Sequence, residues 1–148
     1  RSQGYRLRIS VDGITALEQV LDPAHYARLR AGCTDLGAGK VEAILKPTAE
    51  QNRLLLSVVN WGEVYYTVWV SKGEKAANEH VEHIAKLLIE VVDLDQPTTK
   101  LAASFKARYQ LPYADSFAAA VAQQHQAILV TADRDFTRVE KWVSILWV

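Results

Sequence analysis

Leu111-Pro-Tyr-Ala-Asp-Ser-Phe-Ala-Ala-Ala-Val-Ala122, followed closely by Ala127-Ile-Leu-Val-Thr-Ala-Asp-Arg-Asp-Phe136, constrains this chain more than any other stretch. The first part predicts a helix over 113–125 that opens on a carboxylate, Asp115. The second predicts a buried strand over 127–131, followed by two more carboxylates, Asp133 and Asp135. Acids at the start of a helix and at the end of the next strand can meet in space. Carboxylates that meet at a sheet edge repel one another unless a cation sits among them. The segment is therefore a candidate divalent-metal site, and hence a candidate active site.

The rest of the chain alternates the same two patterns. Residues 5–11 alternate apolar and polar and predict a strand. Residues 17–21 fit either a helix end or a short strand. Pro23 suits the first turn of a helix over 24–31, and Val41 to Leu45 predicts another. Leu54 to Val59 is a short apolar run of the kind found in buried parallel strands. Asn60 is then expected to cap a helix carrying Glu63 in its first turn. Residues 74–90 predict an amphipathic helix, and Ile89 to Leu94 a further apolar run. Asp95, with Pro97 just inside, starts a helix over 97–109. Val143 to Val148 predicts the last strand. Strands alternating with helices imply an α/β fold, a parallel sheet with helices on both faces.

At 148 residues the chain is expected to form one domain with a substantial core. Lys plus Arg and Asp plus Glu are 17 each, so no global basic field exists. A nucleic-acid ligand would need a local patch or a partner chain. The single cysteine, Cys33, cannot form an internal disulfide, and cytoplasmic residence is the expectation. No apolar run approaches the ~20 residues of a membrane span. The sequence contains no Met, so Arg1 to Gly4 are expected to be a processing remnant.

In a parallel α/β sheet, ligands bind beyond the carboxyl ends of the strands. Glu63 lies just after the strand 54–59, Asp133 just after the strand 127–131, and Asp115 opens the helix between. Taken singly, each acid reads equally well as a helix-terminal charge favoured by the dipole. Their shared edge favours a site. Mg²⁺ and Mn²⁺ prefer such hard oxygen ligands.

Other motifs fall away. Asp133-Arg-Asp-Phe-Thr137 fits the signature of haloacid-dehalogenase-like phosphatases, but only residues 138–148 follow it, too few for that fold's later motifs. His80, Glu82 and His83 match neither zinc spacing and read as a solvated helix face. Trp61, Tyr65 and Trp69 recur at i, i+4, i+8 and read as a core stripe, with a subunit interface as the next reading. Lys72, Lys75, Arg134 and Arg138 are candidates for a local grip on RNA, though each alone reads as ordinary surface charge.

Together, Leu56 to Tyr66, Leu111 to Ala120, Ala127 to Phe136 and Val143 to Trp147 resemble the PIN domain, specifically the VapC-like ribonuclease toxins of toxin–antitoxin pairs. The resemblance runs from about Val41 to the C-terminus, so the expected domain is one PIN-like unit over 1–148 with residues 1–40 atypical. It implies a metal-dependent endoribonuclease with four acids around Mg²⁺ or Mn²⁺. Glu63 matches the second acid, Asp115 the third and Asp133 the fourth. Asp135 and Thr131 match supporting positions. For the first acid, Val20-Leu-Asp22 has the better spacing to Glu63, although Pro23 stands where the family has a hydroxyl residue. Val11-Asp12 ends the better strand but lies ten residues further upstream. Spacing favours Asp22.

The resemblance further implies an RNA substrate, a homodimer and a cognate antitoxin. Asp22, Asp115 and Asp133 would hold the metal, and Glu63 would bind it or position the water. The competing reading is a catalytically inactive PIN-fold binding module with an incomplete acid site.

Overall fold

The computed structural model describes residues 6–9, 53–87, 89–131 and 133–147. Asp12, Asp22, Cys33 and the segments expected at 24–31 and 41–45 lie outside the described residues. The described chain forms β1 (Arg6–Ile9), β2 (Arg53–Ser57), α1 (Val58–Lys72), α2 (Glu74–Lys86) and β3 (Ile89–Val92). It continues through α3 (Gln96–Tyr109), α4 (Tyr113–Gln124), β4 (Ile128–Thr131), a 3-10 helix (Arg134–Val139) and β5 (Ile145–Trp147).

The five strands make one sheet in the order β3-β2-β1-β4-β5, with every pairing parallel. Leu7 pairs with both Leu54 and Ile128, and Thr131 pairs with Trp147. The winding reverses beside β1, so the crevice at the carboxyl ends of β2, β1 and β4 is the switch point where such sheets bind ligands.

Successive side chains of a strand point to opposite faces. Leu54, Leu55 and Leu56 are all buried, as are Leu129, Val130 and Thr131. Both faces of the sheet are therefore covered, as the apolar runs predicted. One core cluster joins Leu56 of β2 to Val64 and Val68 of α1 and Ala77 and Ile84 of α2. The other joins α3 and α4 to Leu129, Phe136, Val139 and Val143. Asp115 through Ala122 are buried without a break, so α4 is enclosed on all sides. The alanines at 118–120 present little more than backbone, which lets neighbouring elements pack closely.

Local chemistry sets the helix ends. Asp95 accepts from the Thr98 N–H at 2.8 Å and caps α3 as expected, with Pro97 in its first turn. Gly73 ends α1 and starts α2 with φ +91° and ψ 165°, a conformation essentially reserved for glycine. Its N–H donates to the Trp69 carbonyl at 2.8 Å. Helix α2 stops at Lys86 rather than near residue 90, because Leu87 is extended and β3 begins at Ile89. Among the described residues, no helix is long and apolar enough to cross a membrane.

Two expectations for α1 are corrected. The helix begins at Val58, and its cap is Ser57, whose Oγ accepts from the Asn60 N–H at 3.1 Å. Asn60 therefore sits one turn inside, and Glu63 lies in the second turn. The aromatic stripe is also not the core of this helix. The inward positions are Asn60, Val64 and Val68, and Trp61, Tyr65 and Trp69 lie one residue, about 100°, further round. Trp61 and Tyr65 stack with centroids 5.8 Å apart at the margin of the core, and Trp69 is 44% exposed.

Candidate active site at the carboxyl edge of the sheet

A buried polar layer lies where β2 gives way to α1. Ser57 Oγ donates to Asn60 Oδ1 at 2.5 Å, and Asn60 Nδ2 donates to the Ala114 carbonyl at 3.2 Å. Both Ser57 and Asn60 are buried. Asn60 thus ties the start of α1 to the first turn of α4, one residue before Asp115. Apolar residues fill the corresponding inward positions of the next two turns, so a buried amide here marks a structural demand other than packing.

Glu63 stands one turn after Asn60. Burial pushes its carboxyl above the ordinary glutamate range, with a smaller opposing pull from the Asn60 side-chain amide. Its Oε2 is buried and has no hydrogen-bond partner among the described residues. A desolvated carboxylate oxygen of this kind is costly unless a cation or proton reaches it.

Asp115 lies in the first turn of α4 and is only 2% exposed. The positive end of the helix dipole favours an anion there. Beyond β4, the fully buried Thr131 accepts from the Asp133 N–H at 2.9 Å through its Oγ1. Asp133 Oδ1 in turn accepts from the Asp135 N–H at 2.8 Å and caps the 3-10 helix. These two bonds fix the backbone and side chain of Asp133 at the end of β4. Asp135 itself pairs with Arg138 at 2.8 Å, half-exposed.

The structure therefore ties the helix bearing Glu63 to the turn bearing Asp115 through Asn60. It places Asp133 beyond β4, separated from β2 by β1 alone. Strands lie about 4.8 Å apart, so β4 is roughly 10 Å from β2. Among the described residues, no group of three or more His, Cys, Asp or Glu side chains is assembled to hold a metal ion. This includes His80, Glu82 and His83. The donor chemistry still fits a hard cation: the oxygens are carboxylate, and Glu63 Oε2 is a buried acceptor without a donor among those residues. Asn60 is the site residue that the sequence reading missed. Its sequence signal was a Ser-x-x-Asn-x-x-Glu spacing, in which Ser57 already supplies the cap and leaves Asn60 for another task.

Comparison with known proteins converges on one fold. The PIN domain family matches residues 36–141, a span holding Glu63, Asp115, Thr131, Asp133 and Asp135. Asp12 and Asp22 precede that span. No curated protein matches the chain in sequence. VapBC2 of Rickettsia felis, solved on a promoter DNA fragment, superposes with a TM-score of 0.69 at 15% identity, covering 97% of this chain and 98% of that one. VapC20 of Mycobacterium tuberculosis, a toxin that cleaves the sarcin-ricin loop, gives 0.64 at 14% identity over 93% and 95%. DNA-bound VapBC of Salmonella typhimurium gives 0.63 at 17% over 96% and 97%. Sheet order, edge acids and family match agree, and the chain belongs to the PIN domain family.

Proposed function

We propose that this protein is a Mg²⁺- or Mn²⁺-dependent endoribonuclease, the toxin of a type II toxin–antitoxin pair. The observation that carries the reading is Asn60. It couples the helix bearing Glu63 to the turn bearing Asp115, at the switch point of a PIN sheet. The similarity in fold to VapBC complexes supports an antitoxin partner, and the proposal includes a homodimer and a cytoplasmic setting.

In this reading Asp115 and Asp133 hold the cation together with a first acid, Asp22 by spacing, or Asp12. Glu63 binds the ion or orients the attacking water. Thr131 and Asp135 support Asp133. The bound ion would lower the pKa of a water and neutralise charge on the scissile phosphate. The chain's own part is positional. Thr131 fixes the Asp133 backbone, and Asn60 holds the Glu63 helix against α4. The half-buried Glu63 carboxylate would orient the attacking water.

The test is cleavage of single-stranded RNA with Mn²⁺. EDTA and Asp115→Asn should each abolish it. Cleavage that survives both would overturn the reading.

A further inference from the structure

We propose that Arg134, held over the indole of Trp147, binds a backbone phosphate of single-stranded RNA beside the bond that is cut. The proposal rests on the nuclease reading and adds a substrate contact to it.

A cluster of acids repels the phosphates it must approach, and a chain of zero net charge has no overall field to offset this. A basic side chain close to the acids would add to the ion's offset of this repulsion, and four basic residues were candidates. Lys72 closes α1, whose first residue, Val58, lies at the site. Fourteen helical steps of 1.5 Å put the two about 21 Å apart. Lys75 lies beyond that end and faces Glu79 at 3.9 Å. Arg138 is held twice, by Asp135 at 2.8 Å and by the Gln110 carbonyl at 3.0 Å.

Arg134 differs from all three. It follows Asp133 directly and is exposed, and it has no carboxylate partner among the described residues. Its guanidinium carbon lies 5.1 Å from the centroid of the Trp147 ring. Trp147 pairs with Thr131 in the sheet, so the ring stands at the same carboxyl edge as Asp133. The indole is itself fixed, since its Nε1–H donates to Glu140 Oε1 at 3.1 Å and it packs against the core. A cation–π contact orients a guanidinium without using its N–H donors. Those donors match the oxygens of a phosphate, and guanidinium gives up water more readily than ammonium. A fixed acid and a fixed cation then stand side by side, on adjacent residues.

The experiment measures binding of a fluorescein-labelled single-stranded RNA by anisotropy in EDTA, where no cleavage occurs. It compares the wild-type chain with Arg134→Gln, Arg134→Lys and, as a remote control, Lys72→Gln. Arg134→Gln is expected to weaken binding at least fivefold and to lower the slope of log affinity against log salt by about one. Arg134→Lys should keep the slope and lose part of the affinity, and Lys72→Gln should match wild type. Wild-type binding with an unchanged Arg134→Gln variant overturns the assignment and leaves the nuclease reading standing. A wild-type chain that neither binds RNA in EDTA nor cleaves it with Mn²⁺ overturns both.

Discussion

The side-chain amide of Asn60 donates to the backbone carbonyl of Ala114 across 3.2 Å, joining two helices 54 residues apart in sequence at the residue preceding Asp115. Asn60 is fully engaged: its own N–H and Oδ1 are both bonded to Ser57.

Replacing Asn60 with Ala should therefore cost stability and activity together. Removing the amide takes one donor from the Ala114 carbonyl and one acceptor from the Ser57 hydroxyl. Losing buried hydrogen bonds of this kind costs about 1–3 kcal/mol. Chemical denaturation should show a loss in that range. RNA cleavage should fall further than the fraction unfolded explains, because α1 and α4 no longer hold Glu63 and Asp115 in fixed relation. Cleavage that tracks only the folded fraction would reduce Asn60 to a structural residue.

Glu63 makes a prediction about pH. Burial raises its carboxyl above the ordinary glutamate range, so the native chain holds a proton that the unfolded chain has released. Between the ordinary value and the raised one, the native state binds more protons. Stability from this group is thus present at low pH and lost as pH rises through the native value. In metal-free buffer, Glu63→Gln should be more stable than wild type at neutral pH and should lose that advantage on acidification. Cleavage runs the other way. It needs the ionised carboxylate, so its rate should climb with pH as Glu63 loses its proton. A wild type and variant that melt alike at every pH would contradict the burial account.

Gly73 joins α1 to α2 at φ +91° and ψ 165°. A Cβ there meets nothing within 4 Å, so the cost of a larger residue is backbone strain alone. Gly73→Ala should destabilise by about 1–3 kcal/mol. Gln110 provides the opposite case. It caps α3 in the left-handed region at φ 57° without being glycine. Gln110→Gly should be neutral or stabilising by up to about 1 kcal/mol, since its hydrogen bonds come from the backbone. Thermal melts should fall for Gly73→Ala and stay unchanged or rise for Gln110→Gly.

Much of this was legible because local chemistry and global packing agree. Asp95 with Pro97 announces α3, and Leu54 to Leu56, with Val58 and Val59 just beyond Ser57, announce a strand covered on both faces. Asp115 and Asp133 were legible as a pair because helix start and strand end share an edge in any parallel α/β sheet. What escaped was tertiary. Nothing in the local sequence says that Asn60 leaves the cap to Ser57 and reaches Ala114, a contact made only once α4 is docked. The aromatic spacing of Trp61, Tyr65 and Trp69 mimics a core stripe, but smaller valines one step round the helix fill the space against β2 and α2. Two stripes of identical period differ only in phase, and packing chooses between them.

The first acid gives the last prediction. The proposed ligand set needs a carboxylate between Glu63 and Asp133, and β1 is the strand that lies between β2 and β4. Spacing to Glu63 favours Asp22. Asp12 is the alternative first acid, ten residues upstream of Asp22. Asp22→Asn is expected to abolish Mn²⁺-dependent RNA cleavage and to weaken Mn²⁺ binding in calorimetry at least tenfold, while Asp12→Asn retains both. The reverse pattern would move the first acid to Asp12. Full cleavage by both variants would show that Glu63, Asp115 and Asp133 hold the ion without either, and would remove the N-terminal acid from the mechanism.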